Sequence, residues 1–236
     1  MILSIRDVSV KYGKKQVLDH ITCMVGQGVT GLLGDNGSGK STLLRMITGV
    51  EKPTEGSIYL DELAPGCKEF RNILGYLPQD NPMYNLYSGW DYLKYVSCLK
   101  GIASKETDER IEDYLVRLNL WNDRKKKISQ YSGGMRHRLG IIQAMLNSPK
   151  LLVLDEPTTG LDFSEKRSFY HMVETEFSDS IVILCTHDFD DVECLCRHII
   201  MLKEGKILSD CDYEYRGQSL RECYEDGMFE FKTDQI

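Results

Sequence analysis

The sequence predicts an α/β fold with a mainly parallel core sheet, an antiparallel β subdomain near the N-terminus and an inserted helical subdomain. Three observations support this fold class. The chain opens with two alternating strand patterns, short apolar strands alternate with helical patterns in both halves, and helical spacing dominates between about residues 80 and 148. A length of 236 residues fits one domain with its own core, so we predict a single domain over residues 1–236.

The first half of the chain contains five predicted strands. An antiparallel pair is indicated by the alternating patterns ILSIRDVSV and QVLDHITCMV, which flank a turn at Gly13. A short apolar strand, VTGLL, precedes a glycine-rich loop and the helical pattern KSTLLRMITGV. Two further strands are predicted in GSIYL and NILGYLPQ.

The predicted helical subdomain and the second set of strands follow. The helical patterns are GWDYLKYVSCLKGI, ETDERIEDYLVRLNL and MRHRLGIIQAMLN. Buried strands return in KLLVLDEP, SIVILCTH and HIIMLKEGKIL, separated by the helical stretches SEKRSFYHMVETEF and DFDDVECLC. The tail from about residue 209 to 236 is polar and acidic, and its sequence predicts no structure.

The composition disfavours several classes of protein. With 29 basic and 36 acidic side chains the net charge is −7, so we expect no nucleic-acid partner. The eight cysteines lack the spacing of paired metal ligands and are expected to be reduced thiols. Because no apolar run of about 18 residues and no secretory signal is found, we expect a chain that is soluble and cytosolic by itself.

A phosphate-binding loop is predicted at residues 34–41, GDNGSGKS, between a strand and a helix. Glycines let backbone N–H groups surround the phosphates, Lys40 adds a positive charge, and Ser41 offers a hydroxyl to Mg²⁺. The helix that begins near Gly39 directs its positive end at the same anion. The loop predicts a nucleoside triphosphate site.

Three more polar residues end apolar strands. Asp155 and Glu156 follow LLVL, where adjacent carboxylates are costly without a cation or partner. Asp155 suits Mg²⁺, and Glu156 suits a general base for the attacking water, although a solvated acidic pair is the alternative. His187 follows IVILCT at the edge where open α/β sheets bind ligands, so it is a candidate γ-phosphate contact or else a structural histidine.

A second glycine-rich helix start occurs in YSGGM, residues 131–135. Ser132 is a helix-capping residue type, but Gly133 and Gly134 cost about 1 kcal/mol each in a helix relative to alanine. Their bare backbone N–H groups can approach an anion closely. The pattern therefore indicates a second anion-binding helix end in a chain that already has a phosphate loop.

Taken together, these motifs resemble the ATP-binding subunit of ATP-binding-cassette (ABC) transporters over about residues 2–208. In family order, the matching strings are GDNGSGKST (Walker A), LPQD (Q-loop), YSGGM (signature), LLVLDEP (Walker B), TTGLD (D-loop) and CTHD (H-loop). The resemblance implies a P-loop NTPase fold of the ABC type. It also implies Mg²⁺-dependent ATP hydrolysis coupled to transport.

The resemblance assigns roles residue by residue. The catalytic set is Glu156, His187 and Lys40, and the Mg²⁺ ligands are Ser41, Gln79 and Asp155. ATP would be bound by Tyr12, Gly34, Asp35, Asn36, Gly37, Ser38, Gly39, Lys40, Ser41, Thr42, Gln79, Ser132, Gly133, Gly134 and Asp162. Tyr12 stands where the family has an aromatic that stacks on adenine, with a turn tyrosine as the alternative.

The family's architecture further implies two partners. A second cassette would pack head to tail, as a homodimer or alternatively a heterodimer, so that Ser132–Gly134 face the γ-phosphate held by the partner's loop. A separate integral-membrane permease would hold the pair at the inner face of the cell membrane. Its coupling helix would meet the loop after Gln79, where Met83, Tyr84, Leu86 and Tyr87 either contact that helix or pack on this chain's own helices.

The signature departs from the common pattern at three positions. Tyr131 stands where many members have leucine, and Met135 and His137 stand where glutamine is common. The SGGM form is more similar to cassettes of the exporter and antibiotic-resistance type. Two other functions stay open: a soluble ABC ATPase acting in iron–sulfur assembly, DNA repair or translation, and a cassette that binds without hydrolysis.

Overall fold

The computed structural model describes residues 1–102 and 104–213. Within these ranges the strands are β1 (Leu3–Tyr12), β2 (Lys15–Val25), β3 (Gly28–Leu33), β4 (Glu55–Leu60), β5 (Leu74–Leu77), β6 (Leu151–Asp155), β7 (Ile181–Cys185), β8 (His198–Lys203) and β9 (Lys206–Asp212). The helices are α1 (Lys40–Ile47), α2 (Lys68–Ile73), α3 (Gly89–Leu99), α4 (Ser104–Arg117), α5 (Gly133–Met145), α6 (Phe163–Glu176) and α7 (Phe189–Leu195).

The strands form two sheets, as the sequence predicts. An antiparallel sheet has the order β2–β1–β4, and the larger sheet has the order β5–β6–β7–β3–β8–β9. All pairings in the larger sheet are parallel except β8 with β9. The helices α3, α4 and α5 lie in the chain between β5 and β6 and form the inserted helical subdomain.

The central strands β6 and β7 are buried on both faces. All five residues of each strand are buried. Since successive side chains point to opposite faces, Leu152 and Leu154 join an apolar cluster with the helical subdomain and α6. Leu151 and Val153 join a second cluster with α1 and the antiparallel sheet. The parallel sheet thus lies between two apolar layers, which explains its continuous apolar sequence.

The structure changes three details of the predicted elements. The helix α2 is absent from the prediction, and it takes the first two residues of the predicted strand NILGYLPQ. The stretch HIIMLKEGKIL is a hairpin of two strands, because Glu204 and Gly205 both adopt positive φ and turn the chain. The predicted tail begins inside β9, which continues to Asp212, and residues 214–236 lie outside the described ranges.

The topology brings the candidate residues to one edge of the sheet. Parallel strands end at a common edge, and ligands of open α/β sheets bind there. Leu32 of β3 and Asp155 of β6 both pair with Cys185 of β7, so the loops after these three strands begin at the same level. Among the helices of the described ranges, none is long and apolar enough to cross a membrane.

Candidate active site

The phosphate loop leaves β3 in the middle of the larger sheet and enters α1. Gly39 is the N-cap of α1 with φ 108°, a conformation that side chains rarely adopt. A Cβ at Gly34 would lie 2.1 Å from the carbonyl oxygen of Leu202, so this glycine is required by a close backbone approach. Residues 35–37 are exposed, and the loop therefore presents its outer backbone to solvent.

The loop has groups suited to an anion. The Lys40 ammonium lies over the loop and donates hydrogen bonds to the carbonyl oxygens of Gly34 and Asp35, at 2.5 and 3.0 Å. The buried Ser38 hydroxyl has no hydrogen-bond partner within the described part of the chain. A buried unsatisfied hydroxyl is normally completed by a ligand or water, so the loop's residues fit a bound phosphate.

Asp155 ends β6 next to the start of α1. Its carboxylate is almost fully buried, which raises its pKa, while hydrogen bonds with Cys185 and Ser41 and the charge of Lys40 lower it. A buried carboxylate beside a hydroxyl is the oxygen-rich environment that Mg²⁺ prefers. The predicted proximity of Asp155 and Ser41 is therefore present, and these residues fit the ion.

Glu156 and His187 contact each other directly. The His187 Nδ1 atom lies 2.7 Å from Glu156 Oε2, and this hydrogen bond, followed by the charge of Glu156, raises the pKa of His187. The imidazole is largely exposed, with 78% of the side chain accessible, whereas the glutamate is mostly covered. The pair thus places a carboxylate beneath a ring that reaches outward.

The backbone of Glu156 is unusual. Its φ is 54°, in the left-handed region, although its N–H still continues the sheet through a hydrogen bond to Cys185. Such a conformation costs a non-glycine residue about 1–3 kcal/mol and is concentrated at functional sites. Gln79 is exposed and lies two residues after the end of the neighbouring strand β5. Because Leu77 of β5 pairs with Leu154 of β6, Gln79 and Glu156 leave the sheet at the same level.

The second glycine-rich helix start, at the N-terminus of α5, lies next to the segment that follows Glu156, where a Cβ at Gly134 would be 3.3 Å from the carbonyl oxygen of Gly160. Ser132 is the N-cap of α5, and its hydroxyl accepts a hydrogen bond from the Met135 N–H at 3.2 Å. A Cβ added at Gly133 would meet no atom within 4 Å in the part of the chain that the structure describes, apart from its own helix turn. α5 packs against β5 and β6, and β7 separates β6 from the strand that carries the phosphate loop. The exposed helix end is open to another molecule.

The comparisons with known proteins show the family of this chain. A family model described as ABC transporter matches residues 18–159, more than half of the chain. This chain belongs to the ABC transporter family. It corresponds to the family's ATP-binding domain, and the fold class predicted from the sequence is confirmed.

Individual relatives have the same assignment. The chain is 37% identical over 224 residues to the uncharacterized ABC transporter ATP-binding protein YdbJ of Bacillus subtilis, covering 92% of this chain and 71% of the relative. It is 34% identical to the lantibiotic transport ATP-binding protein SrtF of Streptococcus pyogenes, covering 90% and 92% of the two chains.

Solved structures are similar over nearly the whole cassette. An ATP-binding subunit of an ABC transporter matches with a TM-score of 0.89 and 25% identity, covering 96% of this chain and 99% of the other. The fold is shared with a dimeric ATP-binding cassette bound to ADP and Pi, with a TM-score of 0.78 and 24% identity, covering 90% and 99% of the chains.

The unusual signature residues of this cassette have structural explanations. Tyr131 is buried, its hydroxyl donates to the carbonyl oxygen of Asp123 at 3.0 Å, and it fills the space beside Gly89. The His137 ring donates through Nε2 to the carbonyl oxygen of Pro157 at 2.8 Å. His137 thereby ties α5 to the segment that follows Glu156.

Several assigned residues of the cassette remain predictions. Tyr12 is the last residue of β1; its side chain is exposed, and its hydroxyl donates a hydrogen bond to the Glu51 carboxylate at 2.5 Å. Asp162 is exposed and caps α6, where its side chain and that of Glu165 exchange hydrogen bonds with each other's backbone.

The side chains in the loop after Gln79 differ in whether they pack on this chain's own helices or are exposed for a partner helix. Met83 packs against the cassette's own core, and Tyr84 and Tyr87 lie in a cluster of tyrosine rings about one α3 side chain, Tyr95. Leu86 is 82% exposed and packs on nothing in the core. Three of the four side chains thus pack on this chain, and Leu86 is exposed to solvent.

Sequence reasoning missed two polar groups behind the site. Arg138 of α5 forms an ion pair with Glu165 of α6, and both side chains are largely buried. Asp191 of α7 is completely buried and accepts hydrogen bonds from several elements. In the sequence, FDDVE is indistinguishable from a solvated acidic helix start, so only the three-dimensional packing identifies Asp191.

Proposed function

We propose that this chain is the ATP-hydrolysing subunit of an ABC transporter, powering a separate transmembrane permease through ATP-driven head-to-tail dimerisation. The observation that carries the proposal is a division of the anion-binding groups. The phosphate loop, Asp155 and the Glu156–His187 pair follow three adjacent strands at one edge of the sheet, whereas the helix start at Ser132–Gly134 belongs to α5, with Ser132 and Gly133 exposed. In a dimer of two copies, the α5 helix start of each copy would face the phosphate bound by the loop of the other.

In this proposal, the protein's residues position the phosphates and the attacking water. The loop N–H groups and Lys40 bind the β- and γ-phosphates, and the partner's Ser132–Gly134 approach the γ-phosphate from the opposite side. The Glu156 carboxylate orients the water and accepts its proton as the water oxygen bonds to the γ-phosphorus, while the bond from that phosphorus to the β,γ-bridging oxygen breaks and ADP is the leaving group. The exposed imidazole of His187 turns from Glu156 to the γ-phosphate.

The metal site follows from the same residues. Ser41 and Asp155 would hold Mg²⁺, with Gln79 approaching from the neighbouring strand. When bound, the ion neutralises charge on the β- and γ-phosphate oxygens. Burial of Asp155 away from water suits a ligand that is completed by a cation.

The transport role is supported by relatives. SrtF is named for lantibiotic transport, and the signature form SGGM agrees with a cassette of the exporter and antibiotic-resistance type. One cassette of the same fold is described as a dimer in a post-hydrolysis state with ADP and Pi. We propose that this chain likewise dimerises, and that it sits at the inner face of the cell membrane on its permease.

The test is the size of the Glu156→Gln protein in solution, with and without ATP and with Mg²⁺ withheld. Glutamine keeps the shape of the side chain but cannot accept the proton, so bound ATP persists and holds two copies together. We expect a monomer without nucleotide and a dimer with ATP, measured by light scattering after gel filtration.

The matched control is Glu156→Gln combined with Lys40→Ala, which should stay monomeric because its phosphate loop is weakened. If Glu156→Gln binds ATP yet remains monomeric at high protein concentration, homodimerisation is wrong. If Glu156→Gln hydrolyses ATP at the wild-type rate, Glu156 is not the base.

A further inference from the structure

A buried polar cluster lies directly behind the candidate active site and is centred on Asp191 of α7. The side chain of Asp191 is completely inaccessible. Its Oδ2 accepts hydrogen bonds from the hydroxyls of Thr158, at 2.5 Å, and Thr186, at 3.0 Å. Its Oδ1 accepts from the Tyr170 hydroxyl at 2.5 Å and lies 2.9 Å from the Lys166 ammonium. We define these five residues as the Asp191 cluster.

The cluster is fully satisfied, which makes each link costly to break. A buried carboxylate is tolerated only when its charge and its lone pairs are matched, and here two donors approach each oxygen. Lys166 supplies the opposite charge and also contacts Asp188 at 2.6 Å. Burial lowers the pKa of Lys166, but its hydrogen bonds with Asp188 and Asp191 raise it by more, so the net shift is upward and the lysine is a cation.

The donors come from three different segments of the cassette. Thr158 lies two residues after Glu156, and Thr186 immediately precedes His187. Lys166 and Tyr170 belong to α6, the helix that Asp162 caps. A single carboxylate oxygen therefore joins the segment carrying Glu156 to the segment carrying His187, and the other oxygen anchors both to a rigid helix.

We propose that Asp191 is a positioning residue for ATP hydrolysis, holding Glu156 and His187 in register by binding the Thr158 and Thr186 hydroxyls at one oxygen. This inference rests on the proposed hydrolytic function. Asp191 does not touch the reacting atoms; it fixes the two segments whose side chains meet at 2.7 Å. Displacement of catalytic groups by about 1 Å can cost about 100-fold in rate.

The test removes one hydroxyl without altering charge or size. Thr158→Val loses the donor to Asp191, and Thr158→Ser keeps it while losing a methyl group. We expect Thr158→Val to lower kcat by about 10- to 100-fold with the KM for ATP changed less than about twofold, because only positioning is lost. Thr158→Ser should retain most of the wild-type kcat.

A matched control is Thr48→Val. Thr48 is also buried and its hydroxyl also makes a hydrogen bond, to the carbonyl oxygen of Leu44, but it lies at the far end of α1. We expect a similar loss of thermal stability with wild-type kcat. If Thr158→Val lowers only thermal stability, or if Thr158→Ser loses as much kcat as Thr158→Val, the proposal is overturned.

A second measurement is independent of turnover. The side-chain NMR signal of His187, one of five histidines, reports its contact with Glu156 and can be assigned with His187→Gln. In Thr158→Val we expect this signal to move toward its position in Glu156→Gln, and a signal unchanged from wild type contradicts the proposal. A wild-type chain that binds but does not hydrolyse ATP refutes the proposed function instead, and the NMR result still decides the role of Asp191.

Discussion

At the scale of single residues, Gly133 is unfavourable for helix stability but suited to close approach by another molecule. It occupies the first turn of α5 without positive φ, and a methyl group there would have no neighbour within 4 Å among the described residues outside its own helix turn. On stability alone, alanine is the better residue. The glycine is explained if another molecule must approach its backbone.

We therefore predict opposite effects of Gly133→Ala on stability and on turnover. The free energy of unfolding of the monomer should stay the same or rise by up to about 1 kcal/mol, because alanine favours the helix. ATP hydrolysis should fall at least about tenfold, because the added Cβ occupies the approach to the partner's phosphate. Chemical denaturation and a steady-state ATPase assay measure the two effects.

Gly26→Ala is the corresponding control. This glycine also has open space around a potential Cβ and no positive φ, but it lies in the turn between β2 and β3. Neither stability nor turnover should change much. Full ATPase activity in Gly133→Ala would show that the helix end does not bind the phosphate closely.

Residue identity and spacing predict the charged groups at the sheet edge but not the groups behind them. Asp155, Glu156 and His187 each end an apolar strand, and that position alone indicates their common location. The hydrogen bond from His187 to Glu156 depends on side-chain conformation, which strand spacing does not determine. Asp191 lies on a helix with mixed burial, and its partners are 5 to 33 residues away in the chain.

At the scale of elements, the β8–β9 hairpin contains a pH-dependent contact. His198 of β8 lies between two aspartates of β9, with Nε2 2.7 Å from Asp210 and Nδ1 2.9 Å from Asp212. Carboxylates only accept hydrogen bonds, so both contacts are made together when the ring carries two protons. The hydrogen bond with Asp210 is the largest cause of a raised pKa for His198.

We predict that the hairpin contact stabilises the fold at low pH and loses its contribution as the pH rises. The folded pKa lies above the unfolded value of about 6.5, so the stabilisation is complete below about pH 6.5 and disappears as the pH passes the folded pKa. Urea unfolding of the wild type and of His198→Gln across this range should show their stabilities converging. Parallel pH profiles would mean that His198 does not titrate with folding.

Elements with strong periodicity were predictable, whereas short or abrupt ones were not. The buried strands β6 and β7 and the amphipathic helices α3 and α4 follow their apolar patterns. The six-residue α2 is too short to show a period, and it begins at an uncommon cap, where the Cys67 sulfur accepts a hydrogen bond from the Phe70 N–H. The β8–β9 turn depends on Glu204 in a conformation its residue type disfavours.

At the scale of the whole molecule, the loop after Gln79 is the candidate contact with the permease. Leu86 is 82% exposed next to a group of tyrosines that pack on α3. An exposed apolar side chain on a rigid aromatic base suits an apolar partner helix. We propose that contact with such a helix buries Leu86.

We predict that Leu86→Glu abolishes co-purification of the cassette with a multi-spanning membrane protein from detergent-solubilised native membranes. ATP binding and ATP-driven dimerisation in solution should be unchanged, since Leu86 lies outside the nucleotide site. Leu208→Glu, at an exposed leucine of β9, is the control and should co-purify normally. Equal recovery with both variants would remove Leu86 from the permease interface.

The arrangement of the whole fold was predictable because the motifs occur in a fixed order along alternating strands and helices. The proposed assembly could be expected only through the family resemblance, because neither the phosphate loop nor the start of α5 identifies a second cassette by itself. The two glycines of YSGGM indicate an anion-binding helix start in a chain that already has a phosphate loop, so the anion that this helix start binds needs an explanation. The exposed backbone of Gly133 supports the proposed answer, in which the phosphate belongs to another molecule.

The left-handed backbone of Glu156 has an implication for how such a chain changes over time. Glycine adopts positive φ without strain, so Glu156→Gly would relax the backbone here but would also remove the carboxylate that contacts His187. Selection for folding alone would be expected to accept such replacements. Selection for the chemistry of this one side chain would exclude them, because the backbone strain is a cost that folding alone does not explain.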